Sequence, residues 1–411
     1  MSDAPVIADP AVADLIDREH RRRAGGLQLL AAETPPSDAV RATLASGLGA
    51  KYAEGYPGAR YHGGCEIVDE IEELAIARAV DLFDAQVVDV QPHSGSAANL
   101  AALAAFAQPG DPILALRLAH GGHQTHGSRA NFSGRWFQPI PYSVRRSDEL
   151  LDYDEIRDLA LLHRPRVLVV GSTSYTRPLD YSALRAIADE AEAVLWVDAA
   201  QIGGLIAGGV ATSPVGHADV VTIATHKVLR GPRGGAILAP ERHRDAVRKA
   251  VFPFAQGGPA MDAVAAKAVA FGEAGTPGFA AYTARTVANA RALVAALATH
   301  DVRVVSGGTD THFAVADLSR FEISGVEGQA RLAAAGIVVD KAVLPFDPRP
   351  VVEGSAIRLG TVSLTVDGWR ETDMATVAEW IVDALSAPVD TSDSSGRHSR
   401  IRAAITDFRP R

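Results

Sequence analysis

Three kinds of residue at the ends of apolar stretches set the chemistry open to this chain: a lysine, an aspartate and a run of small residues. Val220–Ile223 are all β-branched and read as a short buried strand. Thr225, His226 and Lys227 follow, and then the glycine-rich run Gly231–Gly235. A lysine just past an apolar strand gains little from packing, because burying an ammonium is costly. It becomes useful once deprotonated and bonded to a carbonyl. Lys227 is therefore a candidate Schiff-base lysine for pyridoxal phosphate (PLP). Taken alone, it reads as a surface lysine. Asp198 ends the apolar stretch Val194–Val197. There a carboxylate either pairs with a pyridine nitrogen, keeping it protonated, or caps a helix. His93-Ser94-Gly95-Ser96 lies between a strand and a helix, where small residues admit a phosphate to backbone N–H groups or simply cap the helix. Asp198 precedes Lys227 by 29 residues with one strand between, so both can sit on one sheet edge. Anion loop, acid and lysine in that order are typical of PLP enzymes.

Three histidines, His120, His123 and His126, crowd into ten residues from Leu118 to Gly127. A metal site needs further acid or cysteine ligands, which this stretch does not offer. A ring stacked on a cofactor face is the better role for one of them. Arg358, after a short apolar strand, can fork onto a carboxylate. Ala50–Cys65, dense in Gly, Tyr and charge, reads as a loop of the kind that carries function. Glu33 follows an apolar run and reads as a strand end or a cap.

The elements that must position these residues alternate. Strands read at 87–91, 113–116, 167–171, 194–198, 220–223 and 236–238, with helices at 68–83, 97–107, 153–163 and 181–191 between them. Apolar strands separated by helices predict an α/β fold with a mostly parallel sheet, and ligands at the carboxyl ends of its strands. Helices at 261–273 and 282–297 follow. The pattern then turns α+β, with strands at 302–305, 311–315, 338–340 and 356–359 and helices at 325–335 and 371–385. The expected organisation is an N-terminal arm over 1–34, containing a helix at 12–23, and a large domain over 35–275. A smaller C-terminal α+β domain over 276–386 and a linker and tail over 387–411 complete it.

With 411 residues, the chain is long enough for two domains. A net charge of −9 argues against a nucleic-acid or anionic-membrane surface. The single cysteine, Cys65, excludes an internal disulfide and fits a reducing, cytoplasmic compartment. The N-terminus lacks a basic segment followed by an apolar core, so no signal peptide is expected. No apolar run reaches the ~18 residues of a membrane span.

From about Leu27 to Leu385 the chain resembles serine hydroxymethyltransferase, a fold-type I PLP enzyme of the aspartate aminotransferase-like kind. The matching stretches are KYAEGYPGARYHGGCE, QPHSGSAAN, LAHGGHQTHG, THKVLRGPRGG, FPFAQGGP and SGGTDTH. The resemblance implies Lys227 as the Schiff base, Asp198 on the ring nitrogen and His123 stacked on the ring. Ser94, Gly95, Ser96, Thr173, Gln201 and His226 would surround the cofactor. Tyr52, Gly257 and Gly258 would reach the phosphate from a neighbouring chain of a homodimer or homotetramer. Glu54 matches the acid–base carboxylate and Arg358 the clamp on the substrate carboxylate. Tyr61, His62 and Ala32 fall at the substrate.

Departures are as informative. The family's Ser-Glu-Asn is Ala32-Glu33-Thr34 here, and its paired tyrosines are Tyr61-His62. Its Asp-Met-Ala-His is Asp198-Ala199-Ala200-Gln201, its Pro-Asn-Asp is Pro345-Phe346-Asp347, and its Gly-Thr-Pro is Gly360-Thr361-Val362. That asparagine helps hold folate, so a tetrahydrofolate requirement is open. The implied activity makes or cleaves the Cα–Cβ bond of glycine, serine or threonine, with a folate carrier or a free aldehyde as partner. The free-aldehyde case is a threonine transaldolase. An inactive PLP-binding paralogue is a second class, and a racemase or transaminase a third.

Overall fold

The computed structural model describes residues 7–389 and 396–408. The chain divides into two compact units, one from Thr34 to Ala284 and the other made of residues up to Glu33 and from Arg285 onward.

After a short helix (Asp38–Leu44), the first unit forms a hairpin, Gly55–Tyr56 against Ala59–Arg60, inside the stretch read as loop. Helix α1 (Glu66–Phe83) follows, burying Val68, Glu72, Ala75, Ala79 and Phe83 at helical spacing. Then come β1 (Val87–Asp89), α2 (Gly95–Phe106), β2 (Pro112–Leu116), β3 (Gln138–Tyr142), α3 (Tyr153–His163), β4 (Val167–Gly171) and α4 (Tyr181–Ala191). The set ends with β5 (Val194–Asp198), β6 (Val220–Ala224), β7 (Gly235–Ala239) and α5 (Met261–Ala274). Asp152 and Asp180 cap α3 and α4 through their carboxylates, which is why both helices start where the sequence predicts.

The seven strands form one sheet in the order β1-β7-β6-β5-β4-β2-β3. Pairings from β3 through β2, β4 and β5 to β6 are parallel, while β7 runs antiparallel between β6 and β1. β4, β6 and β7 are buried along their whole length, as strands covered on both faces must be. The strand β3 has no counterpart in the sequence reading. Pro139 and Pro141 argue against a central strand, and it lies at the sheet edge, where proline is tolerated.

The second unit holds a three-stranded antiparallel sheet of β8 (Phe313–Asp317), β9 (Asp340–Ala342) and β10 (Ala356–Gly360), with β10 central. Helices α6 (Gly325–Ala334) and α7 (Met374–Leu385) accompany it. Residues 302–305 do not form the expected strand. Val302, Val304 and Val305 are buried in a turn, with only an isolated bridge from Val304 to Ala316. Their apolar character serves burial rather than a ladder. The N-terminal segment contributes more than an arm. After its helix, Pro10–Ala24, Leu27–Gln28 pairs in parallel with Ile337–Val338, and Leu27 and Leu29 join the core of this unit. In the tail, residues 390–395 lie outside the described residues. Helix Arg397–Asp407 buries Ile401 and Ile405, and Phe408 stacks on Trp369 at 4.8 Å. Among the described residues, no helix is long and apolar enough to cross a membrane.

Candidate functional site

Every strand of the first unit that runs parallel, apart from edge strand β3, delivers its chemistry at the carboxyl end. Asp198 is the last residue of β5 and pairs in register with Gly171 of β4 and Thr222 of β6. A Cβ on Gly171, whose φ is +138°, would come within 2.3 Å of the Asp198 carbonyl oxygen, so only glycine allows this closeness. Two residues past β6 come His226 and Lys227. Their loop closes on itself: Gly231 N–H donates to the Thr225 carbonyl at 2.8 Å and the Thr225 hydroxyl to Pro232 at 2.6 Å. Val228 and Leu229 are buried and anchor the loop, while Lys227 stays half-buried. Thr173 follows β4, and its N–H donates to the Gly121 carbonyl at 2.8 Å.

The Asp198 carboxylate sits in a set of donors. Nε2 of His126 is 2.9 Å from Oδ2, Nδ2 of Asn99 donates to the same oxygen at 2.8 Å, and Ala200 N–H donates to Oδ1 at 2.9 Å. The tautomer follows from the network: His123 N–H donates to Nδ1 of His126, which leaves the proton on Nε2, toward Asp198. Burial pushes the carboxyl up, but the hydrogen bonds from His126 and Ala200 outweigh it and hold Asp198 well below the usual carboxylate range. An anionic carboxylate offers about four lone-pair sites. Three are used here, which leaves room for one more donor, such as a pyridinium N–H. Nδ1 of His123 bonds Thr125 Oγ1 at 2.7 Å, and Asn99 donates to that hydroxyl at 2.8 Å. His123, His126 and Asp198 bring three donor atoms within 4.8 Å of one another. The direct proton bridge between two of them already satisfies that pair without a metal.

Ser94 caps α2, accepting from Ala97 N–H at 3.0 Å, and a Cβ on Gly95 would touch Ala224 at the tip of β6 at 3.4 Å. Ser96 lies in the first turn of the same helix, so the small-residue run stands beside the strand that leads to Lys227. Two buried polar atoms of this region, Oε1 of Gln201 and Nδ1 of His226, have no hydrogen-bond partner among the described residues. Burial and the Arg233 and Lys227 charges lower His226 to about 4, so it is neutral near pH 7. Unpartnered buried polar atoms beside an anionic carboxylate with spare acceptor capacity and a half-buried lysine fit PLP.

A second group gathers on the Ala50–Cys65 segment. The hairpin returns the chain so that His62 Nε2 lies 3.1 Å from Glu54 Oε2, with the Tyr52 ring edge-on to His62 at 5.2 Å. Gly257 and Gly258 pack on Glu54; a Cβ on either would come within 3.3 Å of its side chain. His93 Nε2 is 3.1 Å from the Gly258 carbonyl oxygen, which joins this group to the anion loop. Tyr61 is exposed and meets Phe252 edge-on at 5.5 Å. Ala32 and Arg358 belong to the other unit. There Nη2 of Arg358 bonds the Asp340 carboxylate, its cross-strand neighbour, at 2.6 Å.

The sequence reading missed Asn99, Thr125 and Lys267. Lys267 is a helical lysine with only 1% exposure, and its ammonium donates to the carbonyls of Val90, Pro92 and Gly235 at 2.5, 3.0 and 2.9 Å. It ties the end of β1 and the start of the anion loop to β7. Its position within the all-apolar face of α5 (beside Val264 and Phe271) was the available signal.

Residues 6–381 match the family model described as serine hydroxymethyltransferase. A serine hydroxymethyltransferase of Acidobacterium capsulatum is 50% identical over 401 residues, covering 98% of this chain and 93% of that protein. Serine hydroxymethyltransferase 1 of Pseudomonas fluorescens is 48% identical over 397 residues, covering 97% and 95%. A protein of the same name from Koribacter versatilis is 47% identical over 402 residues, covering 98% and 94%. With nearly the whole chain matched at this level, on an α/β sheet of fold type I, the chain belongs to the serine hydroxymethyltransferase family of PLP-dependent transferases.

Proposed function

We propose that this protein makes and cleaves the Cα–Cβ bond of a β-hydroxy amino acid, interconverting glycine with serine or threonine. Asp198 carries the reading: a carboxylate held ionised by His126, Asn99 and Ala200 at the strand tip beside the lysine loop. Lys227 would hold the cofactor's aldehyde carbon and Asp198 its ring nitrogen. His123 would cover the ring face, while Ser94, Gly95 and Ser96 hold the phosphate, together with Tyr52, Gly257 and Gly258 of a partner subunit. Thr173, Gln201 and His226 would complete the surround. When bound, PLP supplies a sink for the electron pair released at Cα. Asp198 keeps the ring-nitrogen proton in place, because a carboxylate held ionised prefers the positively charged ring. Glu54 accepts the β-hydroxyl proton in cleavage and returns it in synthesis. The role read for Arg358, a fork on the substrate carboxylate, rests on the family motif.

A second reading within the same chemistry is a folate-independent threonine transaldolase, which passes the glycyl unit to another aldehyde. Phe346 favours it, because phenylalanine offers no hydrogen bond where the family has asparagine. Purified holoprotein is given glycine, then threonine, and its visible spectrum followed. Transfer to an aldehyde is then assayed with and without tetrahydrofolate. A spectral band that shifts with both amino acids supports the reading, and one that never changes supports an inactive paralogue. Strict folate dependence removes the transaldolase.

A further inference from the structure

We propose that His62 is a positioning residue that fixes one oxygen of Glu54 and leaves the other free to accept the substrate's proton. The proposal rests on the acid–base role read for Glu54 above. Its independent observation is a departure of this chain, an imidazole where the family carries its second tyrosine, with Nε2 at 3.1 Å from Oε2 of Glu54.

The contact is built in advance by the hairpin. Pro57-Gly58 turns the chain, Gly58 adopting φ +73°, and Tyr61 N–H donates to the Glu54 carbonyl at 3.0 Å. Arg60 locks the turn. Its Nη1 donates to the carbonyls of Ala53 and Gly55, both at 2.8 Å, while Nε and Nη2 bind Asp69 and Glu72 at 2.8 and 2.6 Å. Beyond the hairpin, the Cys65 thiol reaches the His62 carbonyl at 3.3 Å and Lys51 Nζ the Gly63 carbonyl at 2.8 Å. The main chain on both sides of the imidazole is thus tied, and the Tyr52 ring stands edge-on against it.

The two oxygens of Glu54 then differ. Oε2 takes the imidazole. Oε1 faces Gly257, where a Cβ would intrude to 3.2 Å, so glycine leaves that oxygen uncovered. The other ionisable groups around the pair are Tyr52, Lys51 and Cys65 on the same loop and His93 at the Gly258 carbonyl. Arg60 is also near, with its charge already met by Asp69 and Glu72 of α1. In cleavage the β-hydroxyl O–H bond breaks and its proton goes to Oε1. The freed O–H pair becomes the new Cβ=O bond, and the Cα–Cβ pair remains at Cα. Nε2–H of His62 holds Oε2 in place, so the carboxylate presents Oε1 to the hydroxyl in a fixed orientation.

kcat and KM for cleavage of a β-hydroxy amino acid are measured for the wild type, His62→Ala and His62→Gln. His62→Ala, which frees Oε2, is expected to lower kcat by about fivefold or more, the scale of one lost hydrogen bond, with KM changed less than threefold. His62→Gln, whose amide can still donate to Oε2, is expected to keep most of the wild-type kcat. An unchanged kcat in His62→Ala, or a loss that His62→Gln shares in full, overturns the proposal. Should His62→Ala fail to fold, His62→Leu, which also cannot donate, takes its place. If Glu54→Gln retains full turnover, the acid–base reading of Glu54 is what fails, whereas loss of turnover in Glu54→Gln with His62→Ala unchanged isolates the failure to His62.

Discussion

Nε2 of His126 lies 2.9 Å from Oδ2 of Asp198, and only 1% and 6% of the two side chains are exposed. The histidine comes from the loop after β2 and the acid from the tip of β5, so the contact fastens two connections of the sheet, with β4 between their strands, around one carboxylate. Asn99 of α2 completes the cradle. It donates to Asp198 and accepts from the Thr222 hydroxyl at 2.7 Å, which in turn accepts from the Trp196 indole at 3.0 Å. The acid at the centre of the proposed chemistry is thereby held from three elements at once.

Removing the acid and removing its support have different consequences. Asp198→Asn takes away the negative charge and should lower kcat by about 100-fold or more, on the scale of a lost preorganised electrostatic contact. Asn99→Ala keeps the acid but leaves it one donor short, and should cost about 1–3 kcal/mol in urea unfolding. The acid dependence has a definite sign. Because the native Asp198 carboxyl lies below its unfolded value, its contribution is present above about pH 4 and is lost as pH falls through the native value. Asp198→Asn should therefore unfold with a flatter pH dependence below pH 4.

Lys267 predicts a slope in the opposite pH range. Burial lowers this ammonium to about 7, against the charges of Asp89 and Glu72, which raise it. A depressed amine contributes stability above its unfolded value near 10.4 and loses it as pH falls through about 7. Unfolding free energy should rise with pH between about 7 and 10, by at most about 1.4 kcal/mol per unit. Asp89 acts below that window. Burial raises it to about 6, so its contribution is full below about pH 4 and fades as pH climbs through 6. Urea unfolding of Lys267→Met at a fixed cofactor concentration should show a flat profile from pH 7 to 10. An unchanged slope would remove Lys267 as its source.

Arg60 and Glu72, with 3% and 1% of their side chains exposed, form a buried pair that also carries Asp69 and the hairpin carbonyls. Breaking such a pair from one side leaves an uncompensated charge. Arg60→Ala should cost about 3–5 kcal/mol. Arg60→Lys keeps the charge without the fork and should still lose part of it, because a single ammonium cannot reach two carboxylates and two carbonyls in this geometry. Denaturant midpoints of the two variants check the order.

How much of this was legible in the sequence depends on how local each cause is. Helices 153–163 and 181–191 are readable to the residue, because an aspartate cap and an apolar stripe both lie within a few residues. Asp198 and Lys227 are readable because strand ends announce themselves by composition. β3 is not, since proline argues against a strand unless its place at the sheet edge is known. The Glu54–His62 contact is set by a hairpin of two residues per strand, too short to show periodicity. Asn99 and Lys267 are polar residues in helices, where a solvated face is the ordinary expectation. Only the tertiary fold reveals that one meets Asp198 and the other three backbone carbonyls. Leu27 and Leu29 look like an arm for the same reason, as the strand they accompany pairs with Ile337–Val338 some 300 residues away.

Phe346, where the sequence departs from the family pattern, offers a test read first in unfolding. It adopts φ +58°, the left-handed region that asparagine enters readily and aromatic side chains do not. The neighbouring Asp347 forces this shape. Its carboxylate accepts from the N–H groups of Leu344, Arg349 and Ser355 at 3.0, 2.9 and 2.8 Å and from the Ser355 hydroxyl at 2.6 Å, so the turn cannot relax around the phenylalanine. The backbone thus retains the conformation suited to asparagine while the side chain has changed. Phe346→Asn, the residue the family carries, should relieve about 1 kcal/mol of backbone strain and raise the unfolding midpoint. Phe346→Ala lacks asparagine's tolerance of that region and should gain less. If Phe346→Asn is destabilising instead, the phenylalanine ring contributes packing that outweighs its backbone. Folate-dependent transfer by the same variant, rising above the wild type, would mark the residue as the point where the two proposed reactions divide.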